Sequence, residues 1–189
     1  MAVALGNAAG RGEAAALVKC AVLTEIDVYL SLGFDAVEVI TRTNRRLSER
    51  HSLETFVTMV LVTLDISNHE ITLVNAGHPT PLLRRHDGGV IEIGQDITGL
   101  PIGVLSDQGY ENYQFSIDRR EALLLFSDEV IEANNTAGEL YGTTRLSSAL
   151  SACDGSAKEI IQSVRQDMGQ FGYGEAQSDD VSLFCLKRV

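Results

Sequence analysis

Residues 56–66 read F-V-T-M-V-L-V-T-L-D-I, and residues 70–76 read E-I-T-L-V-N-A, with S-N-H between them. The first run is β-branched and apolar, the pattern of a strand buried on both faces. The second follows after a three-residue turn, so 56–76 reads as a β-hairpin. A strand buried on both sides needs other layers around it. The rest of the chain supplies them. L-L-R-R (82–85) and V-I-E-I (90–93) flank a D-G-G turn. Y-E-N-Y-Q-F-S-I (110–117) alternates and reads as an edge strand, and A-L-L-L-F-S (122–127) reads as a buried one. The chain closes on S-D-D-V-S-L-F-C-L-K-R (178–188), a buried strand led by two aspartates.

Helical texture frames these strands. A helix starts near Glu13 in E-A-A-A-L-V-K-C-A-V-L, because alanine and leucine are strong helix formers. A second spans about Phe34 to Glu49, with Val37, Ile40, Thr43/Asn44 and Leu47 at helical spacing and Gly33 as the break between the two. Two more cover Thr143–Leu150 and residues 157–168, the latter with Ile160, Ile161, Val164 and Met168 on one face. Met1–Leu5 is a short apolar run that stops at a glycine-rich turn, G-N-A-A-G-R-G (6–12). Residues 94–109 and 171–177 read as loops. Helices, then mostly hairpin-linked strands, then helices and one strand make an α+β fold with a largely antiparallel sheet. The 189 residues fit a single domain, 1–189.

Charge narrows the function. The net charge is −11, from 26 acidic and 15 basic residues. That disfavours nucleic acid and anionic membranes, which need a basic face, and leaves room for a divalent cation among carboxylates. No apolar run reaches the roughly 18–20 residues of a membrane span, so a soluble cytoplasmic protein is expected. Cys20, Cys153 and Cys185 are too scattered for a disulfide framework or zinc site and read as small buried hydrophobes.

Two strand ends carry carboxylates. L-L-L-F-S-D leaves a strand at Asp128, and S-D-D-V-S-L-F enters one at Asp179 and Asp180. In an antiparallel sheet such ends can lie side by side. Adjacent carboxylates repel unless a cation sits between them, and oxygen ligands favour Mg²⁺ or Mn²⁺. The same aspartates also suit helix caps or turns. The glycine-rich turn 6–12 could cradle a phosphate, but it has no G-K-[ST] and no strict G-x-G-x-x-G, so a nucleotide-binding reading is weak beside a plain strand-to-helix turn. His78, in N-A-G-H-P (75–79), is a candidate acid or base, or a structural histidine at a strand end.

Taken together, these segments resemble the PPM-type metal-dependent serine/threonine phosphatases (the protein phosphatase 2C class), in their bacterial sporulation-E/RsbU-like branch. N-A-G-H-P-T-P-L-L is similar to "AGHPPPLL", L-P-I-G-V to "LPLGV", L-L-L-F-S-D-E-V-I-E-A to "LLLYTDGVTEA", Y-G-T-T-R-L to "FGEERL", S-D-D-V-S-L to "DDITLL", and G-N-A-A-G-R-G-E-A-A-A-L to "GDVSGHGLPAAL". The six stand in the family's order along nearly the whole chain. The resemblance implies a four-layer α-β-β-α sandwich with two mainly antiparallel sheets. It implies two Mn²⁺ or Mg²⁺ ions in a carboxylate cleft, a metal-activated water as nucleophile and no catalytic residue beyond the metal ligands. Carried over by position, Asp128 and Asp179 are metal ligands, Asp180 is a neighbouring candidate, Ala8 offers a carbonyl, and Asn7 stands where the family has a metal-bridging aspartate.

Three departures from the pattern follow. Asn7 is an amide, a poor bridge between two dications. The early strand pair that carries a further ligand aspartate in the family is missing before Met1, so an N-terminally truncated domain with an exposed sheet edge and a tendency to homodimerise is expected. Glu129 replaces the glycine of "TDG". The implied function is hydrolysis of phosphoserine or phosphothreonine on an anti-anti-sigma-like regulatory protein. The alternative is a catalytically impaired pseudophosphatase that acts as a protein-binding module.

Overall fold

The computed structural model describes residues 1–10, 12–50, 55–172 and 181–189. The chain divides into two compact units: Met1–Thr80 with Gly94–Ser116, and Pro81–Ile93 with Ile117–Val189. Each is built on one antiparallel four-stranded sheet with helices against it, so the α+β class with two antiparallel sheets holds. No helix among the described residues is long and apolar enough to cross a membrane.

In unit 1 the elements are β1 (Ala2–Ala8), α1 (Glu13–Ser31), α2 (Ala36–Arg50), β2 (Val57–Asp65), β3 (Glu70–Ala76) and β6 (Asn112–Ser116). The strand order is β1-β2-β3-β6. The expected hairpin is β2–β3, in register from Met59 opposite Ala76 to Asp65 opposite Glu70. Its period-2 pattern splits cleanly. Val57, Met59, Leu61, Val74 and Ala76 join Val18, Val22 and Ile26 of α1 and Val39, Ile40 and Leu47 of α2 in one core. Val60, Val62, Ile71 and Leu73 alternate onto the opposite face and are buried too, which is why these strands read as continuous apolar runs. Gly33, at φ 85°, separates the two helices as expected. The alternating segment at 112–116 is indeed an edge strand.

One boundary differs. The apolar run at the N-terminus does not stop at Gly6: β1 continues through Gly6 and Asn7 to Ala8, paired to β2 down to Val57. A Cβ at Gly6 would lie 2.4 Å from the Thr58 carbonyl oxygen and 2.7 Å from Met59 Cε. The glycine is there for close strand approach, not for a turn.

In unit 2 the elements are β4 (Leu82–Arg84), β5 (Val90–Glu92), β7 (Ala122–Phe126), α3 (Asp128–Ile131), α4 (Gly142–Ser151), α5 (Ala157–Phe171) and β8 (Leu183–Lys187). The order is β5-β4-β7-β8. Leu82, Ala122, Leu124, Phe126 and Cys185 face Leu146 and Leu150 of α4 and Ile160, Val164 and Met168 of α5. Helix α5 starts on a capping box: Glu159 N–H donates to Ser156 Oγ, and the Ser156 N–H donates to the Glu159 carboxylate at 2.7 Å. Cys185 is buried and its thiol is pushed up to about 11 by burial, whereas Cys20 is exposed on α1, which corrects its assignment as a buried hydrophobe. The sequence pattern missed α3, a single turn that takes the chain away from β7 at Asp128.

Candidate functional site

The end of β1 carries two of the candidate residues side by side. Asn7 stands opposite Thr58, and Ala8 opposite Val57. Alternation puts Ala8 in the core under α1 and turns Asn7, partly buried, to the other face of the sheet. The Thr58 hydroxyl donates to the Asn7 carbonyl at 3.3 Å and lies 3.1 Å from Nδ1 of His78. His78 is itself clamped. Its N–H donates to Asn75 Oδ1 at 2.8 Å, and Asn75 Nδ2 donates to the His78 carbonyl at 2.9 Å. Asn75 is fully buried and His78 is 3 % exposed.

Between them Gly77 takes φ 71°, and a Cβ there would meet Pro101 Cγ at 2.6 Å. Asn7 is thus linked through Thr58 to 75–79, and 75–79 packs on Pro101 of 100–104, all in unit 1. L-P-I-G-V is held by a bridge from Ile102 to Val57 and by the Tyr110 hydroxyl, which donates to the Leu100 carbonyl at 3.0 Å. Burial pushes the Tyr110 phenol above its ordinary value. Sequence reasoning singled out His78 but missed Thr58 and Asn75. The readable signal was the Asn three residues before the histidine, a spacing at which an amide can close on backbone.

The other candidate strand end is in unit 2. β7 and β8 are antiparallel neighbours with Phe126 opposite Leu183, so the end of one does lie beside the start of the other. Beyond that pair Ser127 N–H donates to the Ser182 carbonyl, and Ser182 N–H donates back to Ser127 Oγ, both at 3.1 Å. Ser127 Oγ therefore accepts from Ser182, just before β8, and does not cap α3. Asp128 follows as the first residue of α3, partly buried, with Glu129 partly buried beside it. Asp179 and Asp180 lie outside the described residues, as does Arg11 of the glycine-rich turn. The Y-G-T-T-R-L segment packs α4 on α5: the Tyr141 hydroxyl donates to Asp167 at 2.6 Å, and Arg145 stacks over Phe171 at 4.4 Å. Burial first, and then the Asp167 bond, hold the Tyr141 phenol above its ordinary value.

Asp128, the Asn7 amide and the Ala8 carbonyl are all oxygen donors, the chemistry a hard divalent cation prefers. A bridged pair of dications is a different demand. At position 7 the bridging atom would belong to a neutral amide, which offers no charge to offset the repulsion between two ions. Among the described residues no three His, Cys, Asp or Glu side chains gather to hold a metal ion. On that chemistry a neutral amide at position 7 suits contact with one hard cation and does not fit a bridged pair.

A family model described as Stage II sporulation protein E (SpoIIE) matches residues 1–189. The chain belongs to the SpoIIE family. The phosphoserine phosphatase RsbU of Bacillus subtilis is 22 % identical over 187 residues, covering 98 % of this chain and 55 % of RsbU. The fold is that of solved PP2C phosphatase domains. The SiaA PP2C domain of Pseudomonas aeruginosa superposes with a TM-score of 0.84 at 19 % identity, over 98 % of this chain and 75 % of that one. The PP2C domain of SpoIIE from Bacillus subtilis, solved with a fragment of its regulatory domain, gives 0.82 at 20 % identity, over 97 % of this chain and 53 % of that one. This SpoIIE-family chain spans between 24 % and 55 % of the length of the curated relatives it matches.

Proposed function

We propose that this SpoIIE-family domain acts on a phosphorylated regulatory protein of the anti-anti-sigma kind, in the cytoplasm, as a serine/threonine phosphatase that uses Mn²⁺ or Mg²⁺. The observation that supports this most is the β7–β8 pairing. It sets Asp128 just past the end of a buried strand, beside the entry of the last strand, which supports a carboxylate site there. The relatives named phosphoserine phosphatases supply the substrate class. Asp179 and Asp180 complete the proposed ligand set with Asn7 and Ala8.

Asn7 favours a second reading on its own observation. With a neutral amide at the bridging position, hydrolysis is slow and the domain serves as a phosphoprotein-binding module. One experiment separates the two. Phosphate release from a phosphoserine protein is followed with Mn²⁺ for the chain as it stands, for Asn7→Asp and for Asp128→Ala. The phosphatase reading expects measurable release that Asp128→Ala abolishes and Asn7→Asp raises by about 100-fold or more, the scale of one lost charge-stabilising group. Release absent in both the natural chain and Asn7→Asp, with the phosphoprotein still bound, establishes the binding module. β1 ends its sheet, so pairing with a second copy along that edge belongs to the same proposal. Light scattering at high concentration reads it as a dimer, and a sharp monomer removes it.

A further inference from the structure

Thr58 has one hydroxyl hydrogen and two polar neighbours. One neighbour, the Asn7 carbonyl 3.3 Å away, can only accept. The other, His78 Nδ1 at 3.1 Å, donates or accepts according to its tautomer. If the hydroxyl hydrogen goes to Asn7, the ring must supply the hydrogen of the second bond. We propose that His78 is a positioning residue, held as the neutral Nδ1–H tautomer, which orients the Asn7–Ala8 peptide through Thr58. The relay crosses three adjacent strands: His78 follows β3, Thr58 is on β2 and Asn7 is on β1. Its far end cannot drift, because Asn75 grips the His78 backbone by both its N–H and its carbonyl. Its pivot cannot drift either, because Gly77 at φ 71° packs on Pro101.

Two of the four members, Asn75 and His78, are withdrawn from water, so the bonds are not traded freely for solvent. The Asn7–Ala8 peptide is the stretch of β1 that carries the candidate ligands. Fixing its carbonyl fixes the plane of the peptide and the direction of the backbone that follows. The value of the relay to chemistry rests on the proposed phosphatase reading; its existence does not.

The test on the full chain is a nitrogen-15 NMR measurement of the histidine rings at neutral pH, with the His78 signals assigned by His78→Gln. The expected result is a protonated-type Nδ1 and an unprotonated-type Nε2 for His78. In Thr58→Val the fixed tautomer is lost and the Asn7 carbonyl and Ala8 amide signals shift, while Thr58→Ser keeps both. A wild-type ring protonated on Nε2, or a doubly protonated ring, overturns the proposal. So do unmoved Asn7 and Ala8 signals in a folded Thr58→Val.

A second arm reads the consequence. In the Asn7→Asp chain titrated calorimetrically with Mn²⁺ alone, adding Thr58→Val lowers affinity by about 10–100-fold, the scale of a lost outer-sphere partner, and adding Thr58→Ser restores it. Unchanged affinity with the relay intact by NMR removes the positioning role. If Asn7→Asp binds no Mn²⁺ at all, the phosphatase reading fails and the tautomer result still decides the relay.

Discussion

In unit 1 the loop that carries L-P-I-G-V is fastened by Asn44, a fully buried amide on α2. It accepts from the Gly103 N–H at 2.8 Å and donates to the carbonyls of Leu105 at 2.8 Å and Ser106 at 3.3 Å. In unit 2 the turn between α4 and α5 is fastened by Asp154, a half-exposed carboxylate on which Arg84, Arg120 and Lys187 converge. Next to it Glu121, buried, accepts from the Asp118 N–H at 2.9 Å and pairs with Arg85 at 2.9 Å. The first ties a loop to a helix, and the second ties a turn to the strands β4 and β8. One uses neutral, buried hydrogen bonds and the other uses charge near water. A neutral amide keeps its bonds at any pH and salt concentration, whereas an exposed ion pair is screened by salt and lost on protonation. The basic cluster also lies at the Arg84–Ala122–Lys187 end of its sheet, opposite the Phe126 end that leads to Asp128.

The comparison is broken most directly at Asn44. Asn44→Ala leaves one N–H and two carbonyls without their partner, so a loss of about 3 kcal/mol is expected, read as a lower urea midpoint at unchanged slope. A loss under about 1 kcal/mol would mean that water replaces the amide. The matching deletion in unit 2, Glu121→Ala, is expected to cost less, about 2 kcal/mol, because the half-exposed Arg85 returns to water while only the Asp118 N–H is stranded. Equal costs would erase the distinction between the two devices.

Asp154 sharpens it by pH. Bonds from Arg120 first, and then from Lys187, lower its carboxyl to about 2, below its ordinary value of 3.8. A lowered folded-state value stabilises the fold above the unfolded value and loses that contribution as pH falls through the folded one. Stability should therefore drop between about pH 4 and pH 2, and Asp154→Asn should flatten that limb and weaken the salt dependence. An unchanged acid limb in the variant would assign the pH dependence to other lowered carboxylates such as Asp65 and Glu159. The smallest effect is a labelling one. The exposed Cys20 of unit 1 should react with a thiol reagent at once, and the buried Cys185 of unit 2 only when that unit opens. Fast labelling of Cys185 without denaturant would show unit 2 to be the looser of the two.

Much of the fold was legible. The hairpin at 56–76, the edge strand at 112–116, Gly33 and the buried face of α5 all follow from periodicity and breaker residues, which act within a few positions of one another. The adjacency of the β7 and β8 ends was legible as well, because antiparallel pairing makes it one of few options. Gly6 misled for a physical reason. A glycine that ends a strand and one that admits a neighbouring strand look alike in sequence, and only the Thr58 carbonyl and Met59 distinguish them. The bond between Ser127 and Ser182 had no counterpart in the sequence, because it joins residues 55 positions apart.

By itself, then, the sequence determined the family, the hairpin at 56–76, the alternation of the edge strand and the amide at position 7. Only the tertiary structure decided that β3 takes β6 as its neighbour, that Asn44 holds the L-P-I-G-V loop, and that His78 reaches Asn7 through Thr58. Those contacts join residues far apart in the chain, and nothing local encodes them. They arise because a buried polar group must find a partner wherever packing places one.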